Sequence, residues 1–123
     1  MKLEVLIEIL ISVLLGATGQ IFWKYGLALI DYDFHSLMNF KSWIELISNK
    51  WIFSGTLCYF ISMIIWFRAL KIGELSQIYP FLSLNFIILA IVGYLLFDES
   101  LNALKILGII LVISGLLLIS LSH

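Results

Sequence analysis

The chain has 123 residues, of which 63% are hydrophobic and 12% charged, with a formal net charge of −1 and a mean hydropathy of +1.13. Soluble domains carry about a quarter charged residues, and a fold this small leaves much of its surface in solvent, so the apolar excess must face lipid or another subunit and a water-soluble domain is excluded. No basic run points to nucleic acid, and the single cysteine, Cys58, with two histidines far apart, His35 and His123, offers neither a disulfide framework nor a metal cluster.

A spanning helix needs roughly 20 mostly apolar residues to cross about 30 Å of hydrocarbon. Four stretches qualify, at about 3–29, 51–70, 76–97 and 103–121. They lack the alternation of barrel strands, and backbone groups in lipid must be satisfied within their own segment, so helix is the expected form. The first stretch has one early cation, Lys2, followed by the acids Glu4 and Glu8. Its apolar run is too long for a signal peptide and no small-residue cleavage site stands out, so it is read as a retained span.

Within it lies Gly16-Ala17-Thr18-Gly19-Gln20-Ile21-Phe22-Trp23-Lys24. Gly16, Gln20 and Lys24 are four apart and share a helix face, while Gly16 and Gly19 permit close helix approach. Lys24 reads either as a phosphate ligand, a flexible point charge, or as a lysine snorkelling from the helix end to the interface. Glu8 reads either as a proton-coupling carboxylate or as an acid held near water.

A longer, mixed connection follows. Phe34, Leu37, Met38, Trp43, Ile44 and Ile47 roughly keep helical spacing, with Lys41, Ser42, Glu45 and Ser48 opposite. That pattern fits a short amphipathic helix in the membrane interface at about 34–48, the alternative being a loop with apolar anchors. The second span ends in Arg68 and Lys71, either a lipid-headgroup site or ordinary flanking cations.

The third span is unusually polar, with Glu74, Gln77, Tyr79, Ser83 and Asn85. Ser76, Tyr79 and Ser83 share a face, and Pro80 removes a backbone donor and frees the carbonyl one turn earlier, near Ser76. These groups either line a wet cavity or bond helix to helix. Asp98 and Glu99 precede the last span as helix-terminus acids, and Ser100 or Asn102 can cap it. The last span is almost wholly aliphatic, with small residues at Gly108, Ser114 and Gly115 suited to packing against a partner. Short links make neighbouring spans antiparallel. Cations divide evenly between the two sides, so charge bias does not set the insertion direction.

Two runs carry a resemblance. Gly19-Gln20 with Lys24, and above all Tyr79-Pro80-Phe81-Leu82-Ser83-Leu84-Asn85-Phe86 followed by Phe97-Asp98-Glu99 and a Gly-containing last helix, resemble the drug/metabolite transporter superfamily in its four-helix form. Within it they are similar to the subunits of the aminoarabinose-phosphoundecaprenol flippase. The resemblance covers the whole chain in helix count and order. It implies an all-α membrane protein, one domain over 1–123 built as a small multidrug-resistance-like bundle, dimeric with a second copy or a paralogous four-helix subunit, in the inner membrane. It implies a polyprenyl-phosphate-linked sugar as cargo, Lys24 at the phosphate, and Gln20, Tyr79, Ser83 and Asn85 bonding the sugar or fixing the helices, with the prenyl tail left in lipid. No cofactor and no metal are expected.

The small multidrug-resistance exporters, proton-coupled antiparallel dimers, have a glutamate in the middle of helix one. Here the matching position is Gly16. Proton-coupled export of small cations is therefore the alternative, and an accessory subunit for a prenyl-lipid enzyme is a third. No set of acid, base and nucleophile points to catalysis.

Overall fold

The computed structural model describes residues 3–30 and 39–122. Lys2, His35, His123 and the 34–38 part of the expected interfacial segment lie outside them. Helix α1 spans Leu3–Leu29, α2 Phe40–Ser48, α3 Lys50–Ile72, α4 Leu75–Ile78, α5 Ser83–Leu96 and α6 Ala103–Leu121, with a 3₁₀ turn at Tyr79–Leu82 between α4 and α5. Four stretches are long and apolar enough to cross a membrane: α1, α3, the unit Leu75–Leu96, and α6. At 27 residues, α1 extends for about 40 Å, beyond the ~30 Å apolar slab, so its ends reach into the interface.

Helices α1 and α3 form the tightest seam. It is closed by absent side chains. A methyl group at Gly19 would stand 2.6 Å from the Gly55 carbonyl oxygen, and one at Gly55 would stand 2.6 Å from the Gly19 carbonyl. Gly26 lies against Ile52 and Asn49 in the same way. In lipid there is no hydrophobic drive between helices, so close backbone contact and interhelical hydrogen bonds must supply the attraction. Ser12 Oγ donates to the Ser62 carbonyl oxygen at 2.7 Å, in a buried position. Trp23 Nε1 donates to Thr56 Oγ1 at 3.1 Å. The Trp23 and Tyr59 rings stack with centroids 5.0 Å apart.

The start of α3 is capped by Asn49, whose side chain accepts from the backbone N–H groups of Trp51 and Ile52. Asn102 caps α6 in the same manner, accepting from Lys105 N at 2.9 Å. Each cap satisfies donors that a helix start leaves orphaned.

Pro80 sets the form of the third span. It cannot donate to the carbonyl one turn back, and the chain tightens into the 3₁₀ turn Tyr79–Leu82 before α5 resumes. Ser83 Oγ donates to the Pro80 carbonyl at 2.6 Å, which also accepts from the Ser83 backbone N–H. The turn drives Ile78 and Phe81 into the main apolar cluster, with Val5, Ile9, Val13, Ala69 and Leu116. That cluster sits toward the start of α1.

At the other end of α5, Asp98 takes a left-handed backbone (φ 53°), a conformation that aspartate tolerates better than most residues. The turn lets Glu99 N donate back to the Gly93 carbonyl at 3.0 Å. It aims the Glu99 carboxylate back across α5 toward α1.

Candidate substrate groove

Helices α3 and α5 pack on neighbouring flanks of α1 and leave a gap between them, floored by α1. Glu8, Ser12, Gly16, Gln20 and Lys24 of α1, four polar residues and one glycine at four-residue spacing, wind slowly around the helix. One hollow opens in the gap, and a second lies between α1 and α5 alone.

The first has a volume of about 220 Å³ and lies between Ser12, Val13 and Gly16 of α1, Tyr59, Ser62, Met63 and Trp66 of α3, and Leu82 and Asn85. No residue lining it is ionisable at neutral pH. The Ser12 and Ser62 hydroxyls are already committed, Ser12 to the Ser62 carbonyl and Ser62 to the Tyr59 carbonyl at 2.6 Å. Asn85 is different: its Oδ1 is buried without a hydrogen-bond partner among the described residues. A buried acceptor left without a donor costs about 1–3 kcal/mol. The hollow therefore offers two aromatic walls and one amide.

The second hollow, about 200 Å³, lies nearer the end of α1, lined by Gln20, Ile21 and Lys24 with Leu89, Val92, Gly93, Phe97 and Glu99. Lys24 Nζ meets Glu99 Oε1 at 3.5 Å, with the two side chains 58% and 46% exposed. It also stands 6.0 Å from the centre of the Phe97 ring, at the outer limit of a cation–π contact. Gly93 leaves room for the Glu99 carboxylate, since a methyl group there would collide with it.

The five residues expected from sequence do not come together at one place. Gln20 and Lys24 share the second hollow, and Asn85 lines the first. Tyr79, 48% exposed, stands edge-on to Trp66 with ring centroids 5.7 Å apart, so it touches the wall of the first hollow from outside. Ser83 turns its hydroxyl to Pro80. Lys24 and Tyr79 do not meet. The 3₁₀ turn packs with Val5 and Ile9, about fifteen residues before Lys24 on α1, which is about 22 Å along the axis. The residues that the resemblance assigns to one cargo are thus spread over two separate hollows and their surroundings.

Sequence reasoning passed over Ser12, Tyr59, Ser62 and Trp66 as lining residues. Ser12 was findable, standing four residues before Gly16, and so were the α3 residues, because Gly55, Tyr59, Ser62 and Trp66 follow one another at four, three and four residues and share a face. It also passed over two ion pairs. Glu99 is the counter-charge of Lys24, and Arg68 Nη2 meets Glu8 Oε1 at 3.1 Å with the Glu8 side chain only 13% exposed. Glu8 Oε2 is buried without a partner.

The EamA-like transporter family matches residues 9–121. A probable 4-amino-4-deoxy-L-arabinose-phosphoundecaprenol flippase subunit ArnF of Proteus mirabilis is 30% identical over 89% of this chain and 86% of its own. The corresponding ArnF protein of Photorhabdus laumondii is 32% identical, covering 90% and 92%. A probable ArnE subunit of Proteus mirabilis is 30% identical, covering 91% and 93%. No solved structure matches the chain. With four membrane-spanning helices and a family match over nearly its whole length, this multi-pass protein of the inner membrane belongs to the EamA-like transporter family.

Proposed function

We propose that the protein flips a polyprenyl-phosphate-linked sugar across the inner membrane, as a dimer with a second copy or a paralogous four-helix subunit. The observation that carries this reading is a pair of hollows along α1, one near the helix end that bears a cation and one deeper in the span that is uncharged and lined by aromatic rings and an amide. Those are the two environments a phosphate and a neutral sugar face require. Lys24 takes the phosphate. It can leave Glu99, because an exposed pair of this kind contributes less than about 1 kcal/mol. Gln20 meets the sugar beside the phosphate, and Asn85 receives it at the second station, where a turn of its side chain into the hollow brings the buried amide oxygen to a hydroxyl donor. Tyr79 braces Trp66 and presents its hydroxyl at the far exit, and Ser83 holds the helix break that aims Asn85.

Two observations support a partner subunit. The relatives are named as subunits, and on α6 the space beside Gly108 and Gly115 is open, with nothing within 4 Å. Small residues facing open space suit contact with another helix.

The test is flipping in proteoliposomes, read by the access of a membrane-impermeant oxidant to the sugar. Lys24→Ala is expected to lower the rate at least tenfold with an unchanged melting temperature. An unchanged rate would remove Lys24 from the phosphate site.

A second reading, proton-coupled export of small cations, is favoured by one observation: the Glu8 carboxylate is nearly buried with one oxygen unpartnered. Stoichiometric proton release on addition of a cationic substrate, with no movement of lipid-linked sugar, would decide for it.

A further inference from the structure

A third widening lies at the α1 end that carries Lys24, beneath α2. It has a volume of about 240 Å³ and is lined by Trp23 and Leu27 of α1, Leu46 of α2, and Ile52 and Thr56 of α3. We propose that this groove holds the first isoprene units of the lipid whose phosphate sits at Lys24, so that the protein grips the chain as well as the headgroup. The inference rests on the flippase reading for the identity of the lipid.

The groove asks for no polar ligand. Its two side-chain polar groups satisfy each other and the backbone: Trp23 Nε1 donates to Thr56 Oγ1 at 3.1 Å, and Thr56 Oγ1 donates to the Ile52 carbonyl at 2.8 Å. A cavity of this kind stays dry and accepts apolar matter. Its roof, α2, has no buried residue and exposes Phe40, Ile44 and Ile47, as befits a helix lying in the interface at the depth of a lipid phosphate.

The groove and the cation share an edge of α1. Leu27 follows Trp23 by four residues and Lys24 by three, and Gln20 precedes them by three and four. Residues at those spacings are surface neighbours on a helix. One anion with one apolar chain beside it is the chemistry of a prenyl phosphate. A diacyl phospholipid brings two chains, and the groove, about 240 Å³, holds a short length of one. Bilayer lipid is as apolar as leucine, so the groove adds little affinity for a chain that already lies in lipid. Its effect is to set the direction from which the phosphate reaches Lys24 and to select single-chain lipids.

The test uses the full chain in lipid nanodiscs and a polyprenyl phosphate with a photoreactive diazirine in its phosphate-proximal isoprene units. Irradiation is expected to label Trp23, Leu27, Leu46 and Ile52. Excess unlabelled prenyl phosphate should reduce the labelling at least tenfold, and excess dioleoyl phosphatidate should not. Leu46→Trp, which fills the groove, should lower labelling at these sites about tenfold. Labelling spread evenly over lipid-facing residues, in a protein that still flips lipid-linked sugar, overturns the groove and leaves the flippase reading intact. Equal competition by phosphatidate assigns the groove to acyl chains and overturns the prenyl assignment. Saturable groove labelling without flipping keeps the site and removes the transport reading. No saturable labelling and no flipping removes both.

Discussion

The α1–α3 seam and helix α6 are built from opposite materials. The most apolar stretch of α6 has a mean hydropathy of 2.6, the highest of the four spans, yet 6% of it is buried by the rest of the chain. The corresponding stretch of α1 has a hydropathy of 2.0 and is 39% buried. In water that order would be reversed, because burial follows apolarity. In lipid the large aliphatic side chains are already dissolved, and helices meet where small and polar residues allow backbones to touch and hydrogen bonds to form. Gly19, Gly55, Ser12 and Ser62 therefore mark the α1–α3 seam, and the leucines of α6, apart from the buried Leu116, mark the outside of the protein.

The strongest way to break this contrast is to add the same side chain to both regions. Gly19→Leu must push apart two backbones in near contact and should cost at least about 3 kcal/mol, at the upper end of overpacking effects. It is expected to leave little folded protein in size-exclusion chromatography. Gly108→Leu and Gly115→Leu enter open space and should leave the melting temperature of the isolated subunit unchanged. If α6 faces a partner, they will shift the dimer–monomer balance instead. Equal destabilisation by Gly19→Leu and Gly108→Leu would sink the comparison.

Asn85→Leu comes next. It removes a buried acceptor without a partner, so the protein should gain stability, by about 1–2 kcal/mol. Transport should fall at least tenfold as the first hollow fills. A loss of both stability and transport would mean that Asn85 bonds helix to helix. Ser12→Ala removes one interhelical hydrogen bond and should cost about 0.6 kcal/mol, typical of such bonds within membranes. Thermal melting in detergent reads this directly.

The smallest effect is expected from Gly93→Ala. The new methyl group displaces only the flexible Glu99 carboxylate, an exposed counter-charge worth under about 1 kcal/mol, while alanine favours the helix by about as much. Stability should stay level. Lys24, freed of Glu99, should bind a prenyl phosphate a few-fold more tightly, and a titration of tryptophan fluorescence would show it.

Much of the fold was legible in the chain. Runs of apolar residues of bilayer length required four spanning helices, since no other backbone form satisfies itself in lipid. Gly19 announced a close helix contact, Pro80 an interruption in the third span, and Ser100 or Asn102 a cap, which Asn102 supplies, because each acts through the backbone within a turn or two of itself. The polar residues Gln20, Lys24, Tyr79, Ser83 and Asn85 were visible for the same reason: they are conspicuous in an apolar stretch.

The tertiary structure alone decided which of them meet. The partners Glu99 for Lys24 and Arg68 for Glu8 lie 75 and 60 residues away along the chain, and no local pattern links them. The separation of Lys24 from Tyr79 follows from α5 running alongside α1 with the 3₁₀ turn at one end and Glu99 at the other. That register is set by the packing of Ile78 and Phe81 against Val5 and Ile9. Apolar periodicity cannot convey it, because in lipid every face of a helix is free to be apolar.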